Sequence, residues 1–569
     1  MSCRRIGVYV CHCGGNISDF VDVGAVIEAV KDDPDVVVAR DAMFTCSDLT
    51  QTEIIADIAE HGLDGLVVAS CSPKLHTFTF REMARRAGLN PYQYTQVNIR
   101  EQCSWTHTDD PEGATRKAVR LVRAGIAGTR GSVPLEPTTV ETTQRVLVIG
   151  GGVTGMRAAI GLADIGLAVV LVEKDAALGG RVGGLGPMLP RGRRGTDLVA
   201  HLREDIASHP SITVLTSSEV VSKSGTYGNY HVVVQASGHK VELGVGQVVV
   251  ATGFASYKPR AGEHGYGAAG VVTLPELYEM LDGADGPLVH DGKPVGSIAY
   301  IYCVGSRDTE HSYCSKFCCS AAVHASLRVV EHNPGARQYH LYRDMRTYGR
   351  NEEMLSESRG RGSVYMKFAD DDPPTVECAA GRLEVTVRDL LTAGEELTVR
   401  VDLVVLVTGM VPRENGDLVR GLKLPVGREG FFNEIHPKLR PVETVVDGVM
   451  ICGTCQGPKT SAESVASGLA AVTQVASVLK RGVAELGPQV ATVTGAACTA
   501  CGACVGACPF AAISLFEGDG TKLARIDTAG CKGCGACVPL CPAGAINLAG
   551  YTDSQIRSMI DALVSEVTP

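Results

Sequence analysis

The sequence predicts an α/β fold over most of the chain: two Rossmann-type subdomains at the centre, a smaller α/β domain before them and an α+β cysteine-rich module after them. Three observations carry this: apolar strand and helix patterns alternating through residues 4–130, a strand running into Gly150-x-Gly152-x-x-Gly155, and a doubled cysteine spacing beyond residue 497. At 569 residues the chain exceeds what one hydrophobic core serves, so several domains are expected. Pattern and composition place an N-terminal α/β domain at 1–130, a linker at 131–144, and the first part of a dinucleotide domain at 145–290. A degenerate nucleotide-binding subdomain follows at 291–400, the second part of the dinucleotide domain at 401–485, the cysteine module at 486–550 and a C-terminal helix in 551–569.

In the first domain, Ile6 to Val10, Val36 to Ala39 and Leu66 to Ala69 read as strands, and Val23 to Val30 and Glu53 to Glu60 as helices, the alternation of βαβ units. Cys11, Cys13, Cys46, Cys71 and Cys103 each fall at or near a strand end or loop, where ligands from several βα units converge. Cys11 and Cys13 project to the same side of an extended chain, because side chains alternate with period two. The five are candidate metal ligands; four positions leave one surplus, and Cys103 is the first to drop. The polar, Pro-containing segment from Gly131 to Gln144 is aperiodic and reads as the linker.

From Arg145 a buried strand runs into Gly150, Gly152, Val153, Thr154 and Gly155 and then a helix of small residues. The glycines let the backbone approach a pyrophosphate, which sits at the positive end of that helix. The second strand, Ala168 to Val172, leads to Glu173, placed to accept from a ribose hydroxyl. Glu173-Lys174 continues to Gly179-Gly180-Arg181, like the flavoprotein extension of this fingerprint, which points to FAD rather than NAD. Ala251-Thr252-Gly253 after a strand resembles the ATG element of flavoproteins with two dinucleotide domains, and Val404 to Gly409 echoes it. The chain returns to the flavin at Gly453-Thr454 and Gly457-Pro458-Lys459-Thr460, followed by a helix from Ala462 to Val478 whose N-terminus faces the isoalloxazine. Thr454 stands where an Asp is usual, a departure at the contact with the ribityl chain.

A second GxGxxG should open an NAD(P)H domain near residue 300, and it is absent. The strand Ser297 to Tyr302 ends instead in Cys303, and the next loop and helix carry Cys314, Cys318 and Cys319. These four read as ligands of a cluster that fills a degenerate nucleotide domain. The alternative is a redox-active cysteine pair, but adjacent Cys318 and Cys319 are poor disulfide partners. Cys3, Cys378, Cys452 and Cys455 read as small buried hydrophobes.

The C-terminal module carries Cys498, Cys501, Cys504 and Cys508-Pro509, then Cys531, Cys534, Cys537 and Cys541-Pro542 at the same spacing. In the bacterial ferredoxin pattern three cysteines of a run bind one 4Fe–4S cluster and the fourth crosses to the other. One set is therefore Cys498, Cys501, Cys504 and Cys541; the other is Cys531, Cys534, Cys537 and Cys508. Structural zinc takes four ligands in two pairs, which this spacing does not supply.

Net charge is −10 with both signs interspersed, so no basic footprint for nucleic acid exists. The apolar run after Met1-Ser2-Cys3-Arg4-Arg5 stops at Cys11, which is not the pattern of a signal peptide. No run approaches 18 uninterrupted apolar residues, so no transmembrane helix and a cytoplasmic location are expected. Cysteine at this density, 21 in all, then points to metal ligands rather than disulfides.

Several long motifs resemble the flavin and iron–sulfur A subunit of heterodisulfide reductase, over nearly the whole chain. They are Val8-Tyr9-Val10-Cys11-His12-Cys13-Gly14, Ala69-Ser70-Cys71-Ser72-Pro73, Asn98-Ile99-Arg100-Glu101-Gln102-Cys103-Ser104-Trp105, Cys314-Ser315-Lys316-Phe317-Cys318-Cys319 and Gly453-Thr454-Cys455-Gln456-Gly457-Pro458-Lys459. The resemblance implies one FAD in a thioredoxin-reductase-like domain, 4Fe–4S clusters on both sides of it, and an electron-transfer role between two-electron flavin chemistry and one-electron carriers, extending to flavin-based bifurcation or confurcation. It further implies B- and C-like partner subunits, an electron-input partner (a hydrogenase, a formate dehydrogenase or an NADH-linked protein), ferredoxin, and a homodimer of complexes. Two departures stand out. Methanogen members carry another ferredoxin module after the Gly-Gly turn, whereas residues 181–235 here hold no cysteine. Several members have a flavin-side Lys five residues after the Cys-Cys pair, where this chain has His324, a residue that titrates near neutrality. Lys459 and His324 are thus the flavin-proximal candidates, and no acid–base constellation is assigned. The rival readings are an NAD(P)H:ferredoxin-type oxidoreductase acting alone and a non-bifurcating conducting scaffold.

Overall fold

The structure, a computed structural model, describes residues 4–189, 192–379, 382–518 and 521–565, so Cys3 lies outside the described residues. The chain forms two compact units, one of residues 1–140 with 485–569 and one of residues 141–484.

In the first unit, strands β1 (Ile6–Cys11), β2 (Val36–Ala42), β3 (Gly65–Ser70) and β4 (Tyr94–Asn98) form a parallel sheet in the order β2-β1-β3-β4. β1 and β3 are buried at every residue, as central parallel strands covered on both faces must be. Helices α1 (Val23–Val30), α2 (Asp48–His61), α3 (Pro73–Arg86) and α4 (Pro111–Arg130) connect and cover them, and each begins where a side chain caps it. Asp22, Ser47, Ser72 and Asp110 accept from backbone N–H groups, with Pro73 and Pro111 opening α3 and α4. α2 begins earlier than its apolar periodicity suggests because Ser47 supplies the cap. α4 lies close on the sheet: a Cβ on Gly125 would come within 2.5 Å of Val97 and 3.4 Å of Val67.

The cysteine module belongs to the same unit. Ala491–Val493 pairs with Ile546–Leu548, and Ile513–Gly518 with Thr521–Ile526, both antiparallel. The helix Asp553–Val564 starts at a Thr552–Gln555 capping box and packs on α4, where Gln555 Nε2 donates to the Gly128 carbonyl at 3.2 Å.

The second unit contains two halves built alike. The first has a parallel sheet in the order Val449–Ile451, Gln247–Val250, Arg145–Ile149, Ala168–Val172, Ile212–Leu215, and an antiparallel trio, Ser218–Thr226, Asn229–Ala236 and His239–Val245. The second has Val271–Thr273, Leu403–Thr408, Ser297–Val304, Arg337–Tyr342 and Val364–Lys367, and its own trio, Thr375–Ala379, Arg382–Asp389 and Glu395–Val401. The helix Ser461–Leu479 is long and apolar enough to cross a membrane by length and composition. Its residues Ala471, Val472, Val475 and Leu479 pack into the core with Met156 and Ile160, so its apolar face is spent inside the first half.

Two expectations are corrected. The segment 131–144 is not wholly irregular, since Thr138–Glu141 is a strand. Cys378 is exposed rather than buried, because its strand is the edge of the trio and ends there, while Cys452 and Cys455 are buried as expected.

Replacing Gly125 by valine should lower the first thermal transition of the protein, with a cost of about 1–3 kcal/mol from overpacking against Val97. A calorimetric scan that leaves this transition in place would refute the close packing of α4.

Candidate flavin site and cysteine centres

The strand Arg145–Ile149 enters the turn with Gly150 at φ +107°, a conformation that favours glycine. A Cβ there would lie 2.4 Å from the Ala251 carbonyl, and one on Gly155 would lie 1.8 Å from the Gly150 carbonyl. A Cβ on Gly152 would meet nothing within 4 Å. Two glycines thus bring backbones together, and the middle one leaves room at the N-terminus of the helix Val153–Asp164, the arrangement a pyrophosphate requires.

The remaining candidates converge on this turn. A Cβ on Gly180 would sit 3.2 Å from Gly152 Cα, one on Gly453 2.9 Å from Thr154 Oγ1, and one on Gly253 3.9 Å from Thr454 Oγ1. Lys459 Nζ donates to the Gly453 carbonyl and to Gln456 Oε1, both at 3.1 Å, and burial pushes its pKa below the ordinary lysine value. Thr460 caps the helix Ser461–Leu479 in a capping box with Glu463. Arg181 and Arg413 both donate to the Phe254 carbonyl, and burial, then repulsion from Arg413, lowers the Arg181 pKa. Thr252 Oγ1 is buried without a hydrogen-bond partner. An orphaned hydroxyl and an open glycine at a helix N-terminus fit a bound dinucleotide. Lys174 is exposed. Glu173 is buried, and its oxygens accept from Gly151 N–H at 2.5 Å and Asp175 N–H at 2.9 Å. Each oxygen keeps a further lone pair for a hydroxyl.

Four of the five N-terminal cysteines come together. Cys46 and Cys71 immediately precede the cap residues of α2 and α3, and both are in electrostatic reach of Cys11 and Cys13. Burial raises both thiols, Cys71 to about 11. Cys13 N–H and Thr45 N–H donate to Cys11 Sγ at 3.3 and 3.4 Å, and Arg100 Nη1 donates to Cys13 Sγ at 3.4 Å. Cys103 is fully buried in an apolar core cluster that holds Ile17, Ala118 and also Cys11, and burial pushes its thiol up to about 11.

In the second unit, Cys303, Cys314, Cys318 and Cys319 interact electrostatically as one set. Cys303 takes φ +62° beside a register shift in its strand, which turns the chain out of the sheet there. Lys316 N–H donates to Cys314 Sγ at 3.2 Å, and Lys316 Nζ pairs with Glu463 at the start of the helix Ser461–Leu479.

In the C-terminal module, Cys531, Cys534 and Cys537 line one cavity with Cys508 from the other run. Backbone N–H groups donate to sulfur in matched pairs: Ala512 to Cys508 at 3.3 Å and Ala545 to Cys541 at 3.2 Å, Ala524 to Cys498 and Ala491 to Cys531 at 3.5 Å. Such donors favour thiolates that carry iron and tune its potential.

Residues 497–545 match the 4Fe-4S dicluster domain family, and residues 144–281 match the pyridine nucleotide-disulphide oxidoreductase family. The second of the iron-sulfur A subunits of CoB–CoM heterodisulfide reductase from Methanopyrus kandleri is 37% identical over 605 residues, covering 91% of this chain and 92% of its own. The chain belongs to the heterodisulfide reductase family of iron-sulfur A subunits. It is accordingly an oxidoreductase component with flavin and 4Fe–4S centres. Another family member, the A subunit of the H(2):CoB-CoM heterodisulfide,ferredoxin reductase of Methanothermobacter thermautotrophicus, is 35% identical, with 90% of this chain and 91% of that protein covered. The thioredoxin reductase of T. acidophilum superposes on 59% of this chain and 99% of its own, with 16% identity and a TM-score of 0.41.

One expectation drawn from the family needs correction. His324 does not titrate near neutrality: burial, then Arg328, pushes its pKa down to about 4, and its Nδ1 is engaged by Tyr278 Oη at 2.9 Å. Sequence reasoning also passed over Lys316, Arg413 and Ser467, whose Oγ accepts from Gly453 N–H; nothing in their spacing signals these contacts.

Gly155→Val should purify without flavin absorbance, because the added atoms overlap the Gly150 carbonyl; retained flavin would refute the turn. Thr252→Val should weaken FAD by about fivefold in a fluorescence titration if the orphan hydroxyl serves the flavin, the value of one hydrogen bond of about 1 kcal/mol. The unfolded chain protonates His324 near the ordinary 6.5 while the fold resists to about 4, so stability falls as pH falls through that window. His324→Gln should flatten this slope in pH-dependent denaturation; His340, driven to about 3 by burial, adds to it in the same direction.

Proposed function

We propose that the chain converts electron pairs to single electrons within a heterodisulfide-reductase-like complex, with FAD at the Gly150–Gly155 turn and three or four 4Fe–4S clusters. When bound, FAD exchanges two electrons and each cluster one. The observation that carries this reading is the Cys303, Cys314, Cys318, Cys319 set. It stands at the end of the strand Ser297–Val304, where a pyridine-nucleotide enzyme would open its second glycine turn. Lys316 pairs its loop with Glu463 of the helix that begins at the flavin site, which brings the cysteine loop next to that helix. Lys459 and the capped end of that helix supply positive potential, favouring the more negative form of a bound group.

Relatives are named for H(2) or formate together with CoB-CoM heterodisulfide and ferredoxin. By extension we assign partners of those kinds here: a hydrogenase or formate dehydrogenase input, B- and C-like subunits, and ferredoxin, in a cytoplasmic homodimeric assembly. The cysteine-free segment 181–235 and the neutral His324 favour plain conversion over bifurcation.

Anaerobically purified protein should contain flavin and about 12–16 iron atoms per chain, as expected for three or four cubanes. About eight would eliminate both the N-terminal and the Cys303–Cys319 clusters. NADH added to the isolated chain should leave the flavin absorbance unbleached; rapid bleaching would instead support a self-contained NAD(P)H oxidoreductase.

A further inference from the structure

The motif Asn98 to Trp105 holds Cys103 in the core, and its backbone is unusual. Residues Arg100–Ser104 form a single turn of π-helix, with Ser104 N–H donating to the Ile99 carbonyl at 3.1 Å and Trp105 N–H to the Arg100 carbonyl at 2.8 Å. Such turns are rare and concentrate at functional sites. This one is tied to the Cys11–Cys13 segment, since Ser104 Oγ donates to the Asn16 carbonyl at 2.6 Å and Asn16 Nδ2 to the Cys13 carbonyl at 2.9 Å.

The turn delivers one guanidinium to one sulfur. Arg100 Nη1 donates to Cys13 Sγ at 3.4 Å, its Nη2 pairs with Glu101 Oε1 at 2.7 Å, and its plane lies 4.6 Å from the Trp105 ring centroid. The Arg100 side chain is only 15% exposed. Cys11 receives neutral backbone donors, whereas Cys13 receives a charge-assisted one, the stronger kind. Reducing a cluster adds negative charge, which a nearby, poorly solvated cation favours.

We propose that Arg100 is a positioning residue that raises the reduction potential of a cluster held by Cys11, Cys13, Cys46 and Cys71, acting through Cys13, with Trp105 holding its guanidinium in place and Glu101 opposing it. The proposal rests on the reading that these four cysteines hold a cluster. The test uses four full-length, anaerobically purified forms: wild type, Arg100→Gln, Glu101→Gln and Cys46→Ser. Each is assayed for iron and titrated electrochemically with detection by electron paramagnetic resonance. Cys46→Ser identifies the signal by losing or altering it; unchanged iron and signals in this variant would overturn the cluster reading itself.

With the signal identified, Arg100→Gln should shift its midpoint to more negative potential and Glu101→Gln to more positive potential, leaving the other centres unmoved. A purely structural role does not produce opposite signs. Unshifted midpoints in iron-replete Arg100→Gln would overturn the proposal while leaving the cluster reading intact. If Arg100→Gln loses the iron, Glu101→Gln decides: a shift to more positive potential supports the role, and an unshifted midpoint overturns it.

Discussion

The distance between a helix and a strand governs the flavin half. Gly155 lies so close to the Gly150 carbonyl that no other residue fits, and this contact sets the N-terminus of Val153–Asp164 directly over the strand that feeds it. From that fixed point Ala251, Thr252 and Gly453 take up positions around the same opening. The helix Ser461–Leu479 is then held against Val153–Asp164, with a Cβ on Gly468 only 3.1 Å from the Thr154 carbonyl. Close backbone approach is the shared requirement, and the glycines meet it where any side chain would push the elements apart.

The two halves of the second unit show one architecture carrying two chemistries. In each, a central parallel strand ends in a sharp turn. After Ile149 the turn is glycine-rich and open, suited to phosphate. After Val304 it remains tight, since a Cβ on Gly305 would lie 2.0 Å from the Tyr257 ring, but the neighbouring side chains are thiols. The fold keeps the location and changes the groups on offer there: backbone N–H groups in one half, thiol side chains in the other.

Much of this was legible in the sequence because periodicity and glycine spacing are local signals. The helix Val23–Val30 and the strand Ala168–Val172 have the boundaries that their apolar patterns indicate. The flavin turn, the Gly179-Gly180 extension and the family resemblance followed from contiguous motifs. What escaped was non-local. Burial lowers the His324 pKa to about 4, and its ring nitrogen meets Tyr278, a neighbour 46 residues away in the chain. Lys316 meets Glu463 across 147 residues, and Arg100 meets Cys13 across 87, distances over which no pattern in the chain forecasts a contact.

The crossing of Cys508 into the cavity of the second run has a bearing on how the protein is made. A site whose ligands come from both runs stays open until the later run has been synthesised and the strands around it have paired. Iron delivered to a half-finished module would find three thiols and an exposed edge. Loading is therefore expected to be a late, concerted event in biogenesis, and oxidative loss of either centre would loosen the scaffold that retains its neighbour.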